Sequence, residues 1–473
     1  MIKLTLTEII EAIQGTVAAE PPPISIASIS TDSRVIEPGS IFFALPGENF
    51  DGHDFVAAAF AKGAAAAVVA AERASTLGAR LAIDGRLPGV LISVDKVLSA
   101  LGRLASFHRR QLACDVIGVV GSNGKTTTKA MIDHILSGRL QGRASPKSFN
   151  NAVGVPLTLL SAGRGDDYLV VEIGTNAPGE IAQLAALANP EMIVLTSIGE
   201  EHLEGLRDLA GVAAEEAAVL KHLKTGGFAA LNCDSPEMQP FLNAHGPNIA
   251  TFGRAESADV RVTKIQYSHP WLNFTLNDRF PYRLSMPGAH NAVNAAGAAM
   301  IARRLGFDHP EIAARLETFS PPPMRTDVQR IGPITIINDA YNANPSSAFA
   351  AIELLESMPA EGRRILVFGE MRELGLQRVA MHHRVAQRIA AGTLQHVVFV
   401  GPAADLMAPA LSNGSSGRLG VDTAESVDAA ASILQALLQP GDVVLLKASR
   451  AVGLERILGP LRSALAPPGV AAP

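Results

Sequence analysis

Residues 116–128 read Val116-Ile-Gly-Val-Val-Gly121-Ser-Asn-Gly124-Lys125-Thr126-Thr127-Thr128. Gly121 and Gly124 let the backbone wrap a phosphate chain, so that several amide N–H groups point inward at one anion. The following helix contributes the positive end of its dipole and Lys125 a mobile cation, while the Thr126 hydroxyl is of the type that ligates Mg²⁺. The chemistry of this pattern is the binding of a nucleoside triphosphate. A plain glycine turn with a solvated lysine is the competing reading. It is disfavoured because an apolar strand precedes the loop and an amphipathic helix follows it, as the mechanism requires.

Positioning such a loop takes an α/β framework, and the rest of the chain has that pattern. Short β-branched runs at 116–120, 168–173, 192–196, 334–337, 365–368, 397–400 and 443–447 alternate with alanine-rich segments of helical periodicity. The charged stretch 109–111 and the run Ser320-Pro321-Pro322-Pro323 are expected linkers, and 467–473 an unstructured tail. They divide the 473 residues into three expected domains, 1–110, 111–320 and 321–473. Two cysteines exclude a disulfide framework, and a net charge of −5 argues against a nucleic acid as main ligand. The 48% hydrophobic content is mostly alanine, and no uncharged stretch approaches the ~20 residues of a membrane span. Lys3, Glu8 and Glu11 interrupt any signal-peptide core, so a cytoplasmic protein is expected, with a monomer as default.

The loop is two residues shorter than the common G-x-x-x-x-G-K-T form, and in this shorter form it resembles that of the ATP-dependent Mur ligases. The resemblance extends along the chain: Thr31-Asp32-Ser33-Arg34, Gly47-Glu-Asn49-Phe50-Asp51-Gly52-His53, Phe149-Asn150-Asn151, Glu172-Ile-Gly174-Thr-Asn176, His202-Leu203-Glu204 and His290-Asn291-Ala-Val-Asn294. It continues through Asp339-Ala-Tyr341-Asn342-Ala-Asn344-Pro345, Gly369-Glu370-Met371-Arg-Glu373-Leu374-Gly375 and Lys447-Ala-Ser449-Arg450. It implies a small uridine-nucleotide domain, a central P-loop ATPase domain with a mainly parallel sheet, and a Rossmann-like C-terminal domain. Within the family, the Tyr-Asn-Ala-Asn-Pro and Gly-Glu-Met-x-Glu-Leu-Gly motifs are most similar to the branch that adds D-alanyl-D-alanine to UDP-N-acetylmuramoyl-tripeptide. That branch uses ATP and Mg²⁺ and forms an acyl phosphate.

The resemblance also implies roles. Lys125 would hold the β/γ-phosphates, with Gly121, Ser122, Asn123, Gly124, Thr126 and Thr127 around them, and Asn291 and Asn294 would hold the adenine. Arg325 and Asp339 would reach the nucleotide from the C-terminal domain. Thr126 and Glu172 would ligate one Mg²⁺ and His202 a second. Asp32, Ser33, Arg34, Asn49, Asn150 and Asn151 would contact the uridine substrate, and Tyr341, Asn342, Asn344, Lys447, Ser449 and Arg450 the amine. Blander readings stand beside these: a strand-edge Glu172, a structural His202, packing asparagines at 291 and 294, a polar turn at 150–151, a turn cap at 32–34, and a basic surface turn at 447–450.

Family members carry a carbamoylated lysine fourteen positions after the His202 position, where this chain has Glu216. Val212, Ala213, Val219 and Leu220 around it are apolar, so Glu216 is expected to face inward, as a permanent anion that replaces the carbamate or as the remnant of a lost site. Ala448, Asn338 and Ala177 are further departures, on the acceptor side. A paralogue with another amine or acceptor, and a catalytically weak nucleotide-binding regulator, are the alternative functions.

Overall fold

The computed structural model describes residues 4–47, 49–82, 86–242, 248–412 and 419–465, and the tail expected at 467–473 lies outside them. The chain divides into two compact units. One comprises 1–118, 139–174 and 182–191; the other comprises 119–138, 175–181 and 192–473.

In the first unit, helix Leu6–Ile13 opens with a capping box, in which Thr5 and Glu8 satisfy each other's backbone N–H groups. Strands Ile29–Ser30, Ile41–Phe43, Ala66–Ala70 and Val90–Val94 form a parallel sheet in chain order. Phe42, Val56, Phe60, Val69 and Leu77 fill the core on one side of it. Strand Tyr168–Glu172 pairs in parallel with Gly142–Ala144. The stretch at 109–111, expected as a linker, is not one at its first residue. Arg109 closes helix Val97–Arg109 at 3% exposure, with its guanidinium on the carbonyls of Ala188 and Asn189 and the carboxylate of Glu191. A charge in a stretch read as a linker is instead a buried clamp, and its partners lie about eighty residues away in sequence.

In the second unit, strands Met192–Leu195, Phe228–Asn232, Ile249–Gly253 and Val260–Ser268 run parallel, and Trp271–Leu276 and Phe280–Leu284 extend the sheet antiparallel. Thr196 N–H donates to the Val120 carbonyl at 3.0 Å, which sets the end of strand Asp115–Val120 beside these strands. Helix Ala289–Arg304 is buried at every residue from Asn291 to Ala302, and its alanines and Gly297 allow it to lie close to the sheet. The C-terminal part of this unit is a six-stranded sheet in the order Asp327–Ile331, Ile334–Asn338, Val443–Lys447, Arg364–Gly369, His396–Val400, Gly420–Ala424. Only its first pair is antiparallel. Asp339, Lys447 and Glu370 stand at the carboxyl ends of its parallel strands, where open α/β sheets place their ligands. The seven strands read from the sequence all form, with no end shifted by more than one residue. Among the described residues no helix is long and apolar enough to cross a membrane.

Candidate active site around the phosphate loop

Strand Asp115–Val120 delivers the loop and helix Lys125–Leu136 receives it. Gly121 and Gly124 have φ of 115° and 86°, in the region that favours glycine. A Cβ on Gly121 would overlap the Thr196 hydroxyl, and one on Gly124 would overlap the Asn294 carboxamide. Close approach, as well as φ, therefore requires both glycines. Asn294 and Asn291 are buried beneath the loop, bonded to each other at 3.3 Å, and Asn291 Nδ2 donates to the Pro287 carbonyl.

Ser122 N–H donates to Ser197 O at 2.7 Å, and its hydroxyl bonds both backbone polar groups of Gly199. Lys125 Nζ folds back onto the carbonyls of Gly121 and Ser122 and lies 3.7 Å from Glu201. Thr126 and Thr127 are buried in the first helical turn. Arg325 Nη2 lies 3.4 Å from Thr126 Oγ1, and the Arg325 guanidinium sits 3.9 Å from the centre of the Tyr341 ring.

Behind Lys125 stand two acids. Glu216, in helix Leu209–Ala217, is 0% exposed and accepts the Gly121 N–H on Oε2 at 2.8 Å. Burial pushes its carboxyl well above the ordinary range; Lys125 opposes the rise and Glu201 adds to it. Glu216 Oε1 and Glu201 Oε1 are buried without a hydrogen-bond partner. Two buried carboxyl oxygens beside a phosphate-loop lysine are of the type that ligates a divalent cation, and a bound cation would favour the charged form of Glu216 against its burial, so the donor set accommodates Mg²⁺. Among the described residues no three His, Cys, Asp or Glu side chains gather on one metal-sized point. The neighbouring Glu215 is structural and accepts the N–H groups of Gly179 and Ile181 at 2.7 and 2.8 Å.

His202 adopts a left-handed backbone, φ 48°, and its Nδ1 lies 2.8 Å from Glu373, itself at φ 65°. The pairing holds the Glu373 carboxyl below its usual range. At the strand ends of the C-terminal sheet the polar groups are engaged by protein. Lys447, 4% exposed, donates to Asp339 Oδ2 at 2.7 Å and to the Asn342 carbonyl at 2.9 Å. Asp339 Oδ1 accepts the Thr326 N–H. Ser449 Oγ accepts the Arg372 N–H, whereas Arg450 is exposed and paired with Glu455. Asn344 caps helix Pro345–Ser357, with Pro345 in its first turn.

In the first unit, Glu172 ends its strand at 1% exposure and accepts Asn150 Nδ2 at 3.1 Å. Asn151 accepts the N–H groups of Val153 and Gly154 at the start of helix Gly154–Ser161. Asp32 caps the turn Ser33–Val35 and is chelated by the Arg34 guanidinium, which holds its carboxyl at about 2. Asn49 is exposed, next to the exposed Phe50.

The sequence does not single out Thr196, Ser197, Gly199, Glu201 or Ser346, though all touch the loop or its lysine. The acidic pair Glu200-Glu201 directly before His202 is the one local signal that points to them.

The chain matches three descriptions of one family: "Mur ligase family, catalytic domain" over 25–109, "Mur ligase middle domain" over 119–302, and "Mur ligase, glutamate ligase domain" over 324–450. It is 33% identical to the UDP-N-acetylmuramoyl-tripeptide–D-alanyl-D-alanine ligase of Bacillus subtilis, over 97% of this chain and 98% of the relative. Its fold is similar to a MurF crystal structure from Acinetobacter baumannii, with TM-score 0.85, 30% identity and coverage of 98% and 99% of the two chains. It is also similar to the MurF ligase of Thermotoga maritima in complex with ADP, with TM-score 0.79, 28% identity and coverage of 93% and 97%. With the phosphate loop, its buried acids and these full-length likenesses together, the chain belongs to the Mur ligase family and has its three-domain α/β architecture.

Proposed function

We propose that this chain joins D-alanyl-D-alanine to UDP-N-acetylmuramoyl-tripeptide at the expense of ATP, releasing ADP and phosphate, in the making of peptidoglycan precursors. The main support is near-full-length identity with ligases named for that reaction, joined to a phosphate loop whose lysine is flanked by two buried acids. A carboxylate does not form an amide in water until its oxygen is made a leaving group. The terminal carboxylate of the tripeptide attacks the γ-phosphorus of ATP and takes the phosphoryl group, and ADP leaves. The dipeptide amine then attacks the acyl carbon, a C–N bond forms, and phosphate carries away the former carboxylate oxygen.

The nucleotide, the acceptor and the acyl phosphate are all anionic, so the protein contributes mainly positioning and countercharge. Lys125 takes the β/γ-phosphates once they replace its own loop carbonyls as partners, and residues 121–124 surround the phosphate chain in a loop whose shape is held by the bonds of the Gly121, Ser122 and Asn123 N–H groups to Glu216 and Ser197. Mg²⁺ supplies charge neutralisation at the transferring phosphoryl group. Thr126, Glu172, His202 and Glu216 are the residues assigned to metal. Asn291, Asn294, Arg325 and Asp339 are assigned to the nucleoside and phosphate. Asp32, Ser33, Arg34, Asn49, Asn150 and Asn151 are assigned to the uridine substrate. Tyr341, Asn342, Ser449 and Arg450 are assigned to the amine; Lys447, bonded to Asp339, acts by holding that aspartate. We assign the domains to 1–110, 111–320 and 321–473, and place the enzyme in the cytoplasm as a monomer without nucleic-acid or membrane ligands.

Mass spectrometry of the product tests the substrates. Incubation with ATP, UDP-N-acetylmuramoyl-tripeptide and D-alanyl-D-alanine yields the UDP-linked pentapeptide. Turnover only with a different amine, or nucleotide binding without turnover, contradicts the assignment.

A further inference from the structure

Every polar atom of Asn123, in the middle of the phosphate loop, is engaged by protein. Its N–H donates to Ser197 Oγ at 3.1 Å, and its carbonyl accepts from Thr196 Oγ1 at 2.6 Å. Its side chain turns to the C-terminal part of the chain. Nδ2 donates to Ser346 Oγ at 2.9 Å, and Oδ1 accepts from Asn344 Nδ2 at 3.0 Å.

The direction of each bond in this clasp is fixed by one backbone group. Asn344 Oδ1 caps its helix by accepting the Ser347 N–H at 2.8 Å, so its Nδ2 must point outward. Asn123 must then present its oxygen to Asn344 and its nitrogen to Ser346, whose hydroxyl proton goes to Asn344 Oδ1 at 3.1 Å. Gly199 closes the cluster: a Cβ there would overlap the Ser346 hydroxyl and crowd Asn123 Nδ2.

We propose that Asn344 and Ser346 are positioning residues, which hold the phosphate loop through the Asn123 side chain and so make its shape depend on the seating of helix Pro345–Ser357. Asn344 thereby acts on nucleotide chemistry rather than on the amine. The proposal rests on the nucleotide role of the loop, and not on the identity of acceptor or amine.

A double-mutant cycle tests it. Asn344→Ser keeps a capping oxygen but is too short to reach Asn123, and Ser346→Ala keeps the helix while removing an acceptor. Each lowers kcat/KM for ATP by about tenfold with an unchanged thermal midpoint. Asn123→Ala alone, and together with Asn344→Ser, gives about the same tenfold loss rather than the product of the two, because one contact has been lost either way. The same cycle run on the dissociation constant of ADP alone needs neither acceptor nor amine, so it is decided independently of the substrate assignment. Multiplicative losses in both cycles, or full activity in Asn344→Ser and Ser346→Ala, overturn the proposal.

Discussion

Glu216 Oε2 accepts the Gly121 N–H at 2.8 Å while the residue is wholly buried. The contact links the first glycine of the phosphate loop to the position at which the family resemblance implies a carbamoylated lysine. A glutamate carboxyl lies nearer its own backbone than a lysine carbamate would, and here the loop meets it with a direct bond. The other oxygen, Oε1, is buried without a hydrogen-bond partner, and it is the one that would meet a cation.

A consequence is independence from CO₂. A carbamate must be formed from dissolved CO₂ and is lost when CO₂ is removed, whereas a glutamate is permanent. The ligase rate is expected to be the same in CO₂-depleted and bicarbonate-supplemented buffer. A rate that falls on depletion and returns with bicarbonate contradicts the role given to Glu216.

The same carboxyl sets a pH dependence. Burial raises its folded value above the ordinary 4.5, so the unfolded chain releases this proton at lower pH than the folded one. Its contribution to stability is therefore fully present below about pH 4.5 and is lost as pH rises through the raised folded value. Glu216→Gln, whose amide oxygen still accepts the Gly121 N–H, removes that loss. Urea unfolding without ligands should show Glu216→Gln gaining on the native chain between about pH 5 and about pH 8, with Mg²⁺ reversing the order. Parallel pH curves for the two proteins contradict it.

Lys447 and Asp339 give a stability test. The Lys447 side chain is 5% exposed, and Asp339 is its only carboxylate partner among the described residues. Asp339→Ala leaves a buried charge unpaired and is expected to cost about 3–5 kcal/mol, read from the urea midpoint. Adding Lys447→Met should recover most of that loss. A cost below about 1 kcal/mol would place the lysine in solvent instead.

Arg325 over Tyr341 separates the ring from its hydroxyl. Tyr341→Phe keeps the face on which the guanidinium lies and should leave KM for ATP nearly unchanged. Tyr341→Leu removes a contact of about 0.5–2 kcal/mol and should raise that KM by about 2- to 30-fold. Equal effects of the two substitutions would assign the work to the hydroxyl.

These residues also mark how far sequence carries. The phosphate loop is legible because strand, glycines, lysine and helix are contiguous, and the inward face of Glu216 because helical periodicity is local. The cap made by Asn151 is legible as the alternative of a polar turn. The engagement of Lys447 by Asp339 is not, since its partner is 108 residues away. Nor is the clamp on Arg109, where three charged or polar residues in a row look like a solvated linker. The side chain of Asn123 reads as a nucleotide contact because it lies in the loop, but its direction is set by Asn344 and Ser346, more than two hundred residues away.

The most direct test of the central claim is phosphate release by the purified chain with ATP, Mg²⁺, UDP-N-acetylmuramoyl-tripeptide and D-alanyl-D-alanine, omitting one component at a time. One phosphate per pentapeptide formed, with release abolished when either the tripeptide or the dipeptide is left out and in Lys125→Ala, is the expected result. Release that continues at the same rate without the dipeptide, or survives Lys125→Ala, would contradict the account.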